Sequence, residues 1–263
     1  MQTTPLSPAD ALRWYLAAGV DEVIGEEPVD RYAQSAKPMS RAPLAPAGPT
    51  AAAIPAAPQQ PEPASSAHLA MAAATLADLK AAMEGYEGCA LKKTCQQTVF
   101  ADGDPSARLM IIGEAPGADE DRLGLPFVGA SGKLLDRMLA SIGLDRTRAY
   151  ITNVVPWRPP GNRKPEPAEV ALCLPFITRH IELVDPAVLL LLGGASVSAL
   201  LARTDSITRL RGGFIDYSSP RLARPIPAMP TFHPAYLLRT PLAKREVWRD
   251  LLLVRQKLDA SAA

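Results

Sequence analysis

Three short segments carry side chains whose types suit chemistry on a bound molecule. Glu114 stands in Gly113-Glu114-Ala115-Pro116-Gly117, directly after the apolar run Leu109-Met110-Ile111-Ile112. Asn153 lies inside a second apolar stretch, residues 149–155, that leads into Trp157-Arg158-Pro159-Pro160. His233 opens His233-Pro234-Ala235-Tyr236-Leu237-Leu238-Arg239 after a third such run. A carboxylate, an amide and an imidazole can place charge, read a hydrogen-bond pattern and hold or donate a proton. Each also has a plain reading: a solvated acid in a turn, a structural amide, a structural histidine. Position weighs against the plain readings. All three fall at the carboxyl ends of predicted strands, where open α/β sheets bind ligands, and Asn is depleted within strands.

Other residues join or leave this set on inspection. Asp119, Glu120 and Asp121 precede Gly124-Leu125-Pro126-Phe127-Val128-Gly129, and carboxylates beside a Gly- and Pro-rich loop with one aromatic suit a small-molecule pocket. Gly129-Ala130-Ser131-Gly132-Lys133-Leu134 hints at a phosphate-binding loop. It has Phe127 where the first glycine is required and Leu134 where Ser or Thr is required. Gly193-Gly194-Ala195-Ser196 lacks the G-x-G-x-x-G fingerprint. It is either a helix N-terminus holding a phosphate, through Ser196, or a tight turn.

The elements that must position these groups alternate. Strands are predicted at 109–113, 149–155, 187–192 and near 228–232, with an edge strand near 214–217. Helices are predicted at 76–83, 131–142, 166–183, 195–202 and 243–258. That order implies βαβ units and a parallel sheet with helices on both faces. Residues 76–263 form the expected catalytic domain. Residues 36–75 read as a Pro/Ala-rich linker, with eight prolines between 38 and 63. Residues 1–35 read as a small helical element, opened by Ser7-Pro8-Ala9-Asp10. Residues 8–30 are either a docking element for a protein partner or a helix that packs on the main domain.

Composition narrows the class. The 263 residues are 48% hydrophobic with a net charge of +1, enough chain for a sizeable core. Residues 1–70 carry 4 Lys/Arg against 7 Asp/Glu, leaving 24 against 20 for the rest, a balance that permits a polyanionic partner. Three cysteines argue against a disulfide scaffold. The longest apolar run, 187–192, is too short to span a bilayer. A cytoplasmic, monomeric protein without membrane attachment is expected.

The ordered motifs Gly113–Gly117, Pro126–Gly129, Ile151–Val155, Arg158–Pro160 with Asn162-Arg163, and His233–Arg239 together resemble the uracil-DNA glycosylase superfamily, family-4 type. The resemblance runs from about Asp78 to Leu258 and implies a three-layer α/β/α fold with a short central parallel sheet. It implies excision of uracil from DNA after base flipping, leaving an abasic site. By resemblance, His233 donates to uracil O2, where charge develops in the transition state. Asn153 matches O4 and N3–H, Phe127 stacks on the extruded base, and Glu120 excludes a C5 methyl. Gly113 and Ala115 line the pocket. Glu114 either activates water or stabilises the cationic sugar, while relatives of family 1 carry Asp at the position of Ala115. Leu237 and Leu238 form a DNA wedge or pack in the core, and Arg239 meets a phosphate. No Lys lies in the matched pocket segments, so water rather than an amine is the expected nucleophile. Rival readings are a hypoxanthine glycosylase and a weakly catalytic uracil-DNA-binding protein.

The family norm is a [4Fe–4S] cluster on four cysteines. Here Cys89 and Cys173 occupy two of the positions, while Tyr86 and Trp157 stand at the other two and Cys95 is off the spacing. Neither aromatic supplies a sulfur, so no cluster is expected, with Tyr86 and Trp157 filling its space. A retained cluster is the alternative.

Overall fold

The computed structural model describes residues 65–261. The expected N-terminal element, and most of the linker, lie outside them.

The sheet has six strands in the order β1-β3-β2-β4-β6-β5. They are β1 (Asp102–Gly103), β2 (Leu109–Gly113), β3 (Tyr150–Asn153), β4 (Val188–Leu192), β5 (Ile215–Tyr217) and β6 (Ile226–Thr231). The inner four are parallel, and β1 and β5 close the two edges antiparallel. Every residue of β2, β3 and β4 is buried, as expected for strands covered on both faces. Alternate side chains divide between the two helical layers. Met110, Ile112, Leu189 and Leu191 face one layer, with α1 (Ser66–Ala72), α2 (Leu76–Gly85), α5 (Pro167–Val184) and α6 (Gly194–Leu201). Leu109, Ile111, Leu190 and Leu192 face the other, with α4 (Ala130–Ala140), α8 (Pro234–Arg239) and α9 (Lys244–Ala260). The short α3 (Ala118–Leu123) and α7 (Ile207–Leu210) complete the α-helices among the described residues. The three-layer α/β/α expectation holds, with a mixed rather than wholly parallel sheet.

Folded structure begins earlier than position 76. Helix α1 lies within the stretch read as linker, capped by Ser65, with Ala70 and Ala73 in the core and the Ala73 carbonyl accepting from Arg179 Nε at 3.0 Å. Its alanines resemble those of the linker before it, so composition alone hid the boundary. Helix α2 starts where expected. Thr75 Oγ1 accepts from Asp78 N, and Asp78 returns the bond to Thr75 N.

The chain moves from β2 outward to β3, then crosses back to β4 on the other side of β2. The carboxyl end of β2 is therefore a topological switch point, where a crevice must open. Gly113, its last residue, pairs directly with Asn153, the last of β3.

Candidate active site

A cleft of about 660 Å³ opens at that switch point. Its walls bring together Glu114, Glu120, Phe127, Asn153, His233 and Arg239, from five separate segments. Ala115 also lines it. Gly113, expected to line the pocket, is not among its lining residues but lies against two that are: a Cβ there would collide with Asn153 Oδ1 and lie 2.6 Å from the Phe127 ring. Only glycine lets the amide and the ring meet across β2.

Asn153 is 5% exposed, and its Oδ1 has no hydrogen-bond partner among the described residues. A buried acceptor left unpaired costs about 1–3 kcal/mol, so a ligand donor is the natural complement. Backbone pairing continues past the strand ends through Val154 N to Gly113 O and Val155 N to Glu114 O, both 3.0 Å. The amide and the carboxylate thus share one rigid frame.

His233 caps α8, its Nδ1 accepting from Ala235 N at 3.1 Å. That bond leaves the proton on Nε2, making Nε2 a donor. Burial first, and then the Arg239 charge, push its pKa down to about 4, so the ring is neutral at ordinary pH. Behind it, Thr231 Oγ1 donates to Asp250 Oδ2 at 2.6 Å, and Arg211 pairs with the same carboxylate at 2.7 Å. Arg211 also lies over the Phe232 ring at 5.4 Å. This buried network ties the end of β6 to α9 and so fixes the start of α8.

Glu120 does something its sequence context did not reveal. Oε2 accepts from Gly117 N at 3.1 Å, and Oε1 accepts from Val128 N at 3.0 Å and Gly129 N at 2.9 Å. It locks the Gly113–Gly117 turn to the Phe127 loop. Phe127 is buried, its ring 5.6 Å from that of His233. Burial raises the pKa of Glu114 above the ordinary carboxylate range, opposed by the charge of Lys164. Lys164 is a cleft residue that sequence reasoning missed, because it follows the matched motif Asn162-Arg163 in an exposed loop.

Two expected contacts with DNA are not supported. Leu237 is 1% exposed and packs in the core beneath α8, whereas Leu238 is 46% exposed. Ser196 is fully buried, its hydroxyl donating to Gly193 O at 2.9 Å. Gly193 has φ +90°, and a Cβ there would lie 3.1 Å from His233 Cβ. The Gly193 turn thus serves a close approach to His233 rather than a phosphate site.

At the positions associated with a cluster, the donors do not fit one. Trp157 is 0% exposed and Tyr86 5%. Their rings stack at 6.1 Å, and Tyr86 meets Phe176 edge-on at 5.4 Å. Trp157 Nε1 donates to Thr98 Oγ1 at 3.1 Å. Cys89 and Cys173 are both fully buried, and their nearness to each other favours charge on Cys89 and disfavours it on Cys173. Two sulfurs stand beside a packed aromatic group, and four thiolates are the usual requirement.

Residues 100–252 match the family model of the uracil DNA glycosylase superfamily. The type-4 uracil-DNA glycosylase of Sulfurisphaera tokodaii is 36% identical over 187 residues, which are 69% of this chain and 84% of that protein. That of Saccharolobus solfataricus is 40% identical over 177 residues, 65% of this chain and 81% of that protein. That of Archaeoglobus fulgidus is 40% identical over 166 residues, 62% and 82% respectively. The chain belongs to the uracil DNA glycosylase superfamily.

Proposed function

We infer that the chain hydrolyses the N-glycosidic bond of deoxyuridine in DNA, releasing uracil and leaving an abasic site for repair. The observation that carries the site assignment is the unpaired, buried Oδ1 of Asn153, a residue that lines the cleft. An amide presents one acceptor and one donor side, matching uracil N3–H and O4, whereas cytosine reverses both. A base inside a duplex cannot reach such a buried group, so the nucleotide must be extruded. Phe127 supplies the face on which the base stacks.

As the bond breaks, negative charge grows on uracil O2 and positive charge on the sugar. The neutral His233 donates its Nε2 proton in a hydrogen bond to O2, which strengthens as the charge develops. Glu114 supplies the matching negative charge at the sugar side and orients the attacking water. Glu120, held by three backbone N–H groups, is the wall that meets the pyrimidine C5. Arg239 on the cleft rim and Leu238 beside it meet the phosphate and the gap in the base stack.

The aromatic packing of Tyr86, Trp157 and Phe176 supports a chain that works without an iron–sulfur cluster. The activity test is alkali-dependent cleavage of a duplex containing one U:G pair. Cleavage at the uracil position is expected. An intact strand under conditions where a known glycosylase cuts would refute the reading.

A further inference from the structure

Phe127 has φ +54°. The other described non-glycine residues with positive φ are Asn162, Asp185 and Ala202, two of them types that tolerate this region and one a small helix cap. Phe127 is the bulky one, and its side chain has no polar atom to offset the strain. Such a conformation persists only where the surroundings impose it. The strain has a use, since it turns the ring toward His233 and against Gly113.

What imposes it is visible. Arg146 Nη2 donates to the Phe127 carbonyl, and Nη1 donates to the Pro126 carbonyl at 3.1 Å. The same guanidinium is held by Asp102 from β1 at 2.7 Å through Nη1 and by Asp136 from α4 at 2.7 Å through Nε. Arg146 sits in the short turn Arg146–Arg148 that leads into β3, the strand ending in Asn153. One cation therefore joins the strand that reads the base edge to the loop that stacks on its face. A planar fork can serve four acceptors at once, and a lysine ammonium in the same place cannot.

We propose that Arg146 is a positioning residue for uracil excision: by clamping the Pro126 and Phe127 carbonyls it holds Phe127 in the left-handed conformation that sets the stacking wall. The proposal rests on the functional reading above, in which Phe127 stacks on the extruded base. Arg146 does not reach the substrate. Its effect passes through Phe127, and that gives a test which general loss of stability does not reproduce.

The experiment is single-turnover uracil release from a U:G duplex by wild type, Arg146→Lys, Phe127→Ala, the double variant and Asp102→Asn. Arg146→Lys should slow release about tenfold to a hundredfold, as expected for a misplaced contact group. In the Phe127→Ala background the same change should cost less than about twofold, because the residue it positions is gone. Asp102→Asn keeps the carbonyl donors but loosens one of the two carboxylates that hold them, and should slow release by less than Arg146→Lys. An equal cost of Arg146→Lys in both backgrounds overturns the proposal. The two readings fail differently. No release by wild type refutes the function, whereas release with Arg146→Lys unchanged refutes the clamp alone.

Discussion

Two regions on opposite layers of the sheet treat their polar groups in opposite ways. At the cleft, Asn153 keeps a buried oxygen unpaired, Phe127 holds a strained backbone, and Glu114 and Lys164 stand as charges lining one cavity. At the Tyr86–Trp157 cluster the indole N–H is paired, the Cys89 and Cys173 side chains are fully buried, and the rings are packed together. The first region keeps a buried polar atom unsatisfied and carries a stability cost for it. The second pairs its indole N–H and packs its rings. An unsatisfied buried group points to a ligand, and a satisfied one to packing.

That contrast makes predictions of opposite kind for the two regions. Trp157→Ala should destabilise the fold by about 3–5 kcal/mol, the usual cost of emptying a large aromatic site, read as a lowered midpoint in urea. Its excision rate, measured where the variant is folded, should remain close to wild type. His233→Ala should do the reverse, lowering kcat by about 10²–10³-fold, as loss of a donor to a developing oxyanion does. The accompanying loss of the α8 cap should cost only about 1 kcal/mol.

Asn153→Leu sharpens the point further. It removes a buried oxygen that has no partner at similar volume, so the thermal midpoint should hold or rise, while kcat/KM for uracil falls about 10²-fold. A midpoint lowered by several degrees would mean that the amide is structural after all.

The smallest effect concerns pH. His233 stays neutral down to about pH 4, so it does not set the acid limb of activity. On the proposed reading Glu114 does: burial raises its pKa, and protonation removes the negative charge assigned to the sugar side, so excision is expected to fall as pH drops through that raised value. Lys164 opposes the rise. Around Glu114, the cleft also presents Asp119 and Glu120 from α3, Arg163 beside Lys164, and His233 and Arg239 at the ends of α8. Arg163 is engaged by Glu169 at 2.6 Å. Lys164→Met should therefore move the acid limb upward, and Lys164→Arg should restore it. An unmoved limb would break the assignment.

Most of the scaffold was legible because its signals are long and apolar. β2, β4 and β6 announce themselves as buried runs, and β5 was placed at an edge. The two-residue β1 has no pattern to read. Helix α3 was hidden in its own carboxylates, read as pocket residues when one of them, Glu120, is also the brace between two loops. Helix α8 opens on the proline of a functional motif and was read only for that motif. Sequence spacing could not separate Leu237 from Leu238, since only the direction in which α8 presents them decides which is core. Lys164 and Arg146 were missed for one reason: neither lies in an apolar run or a recognised motif, and each gains meaning only from what the fold sets beside it.

On the reading proposed above, the cleft suffices for uracil excision without an iron–sulfur cluster. That reading is tested most directly by measuring iron per chain and uracil release per chain on the same anaerobically purified sample. Rapid release at background iron is the result predicted. Release that rises and falls with a content of about four irons per chain would contradict it.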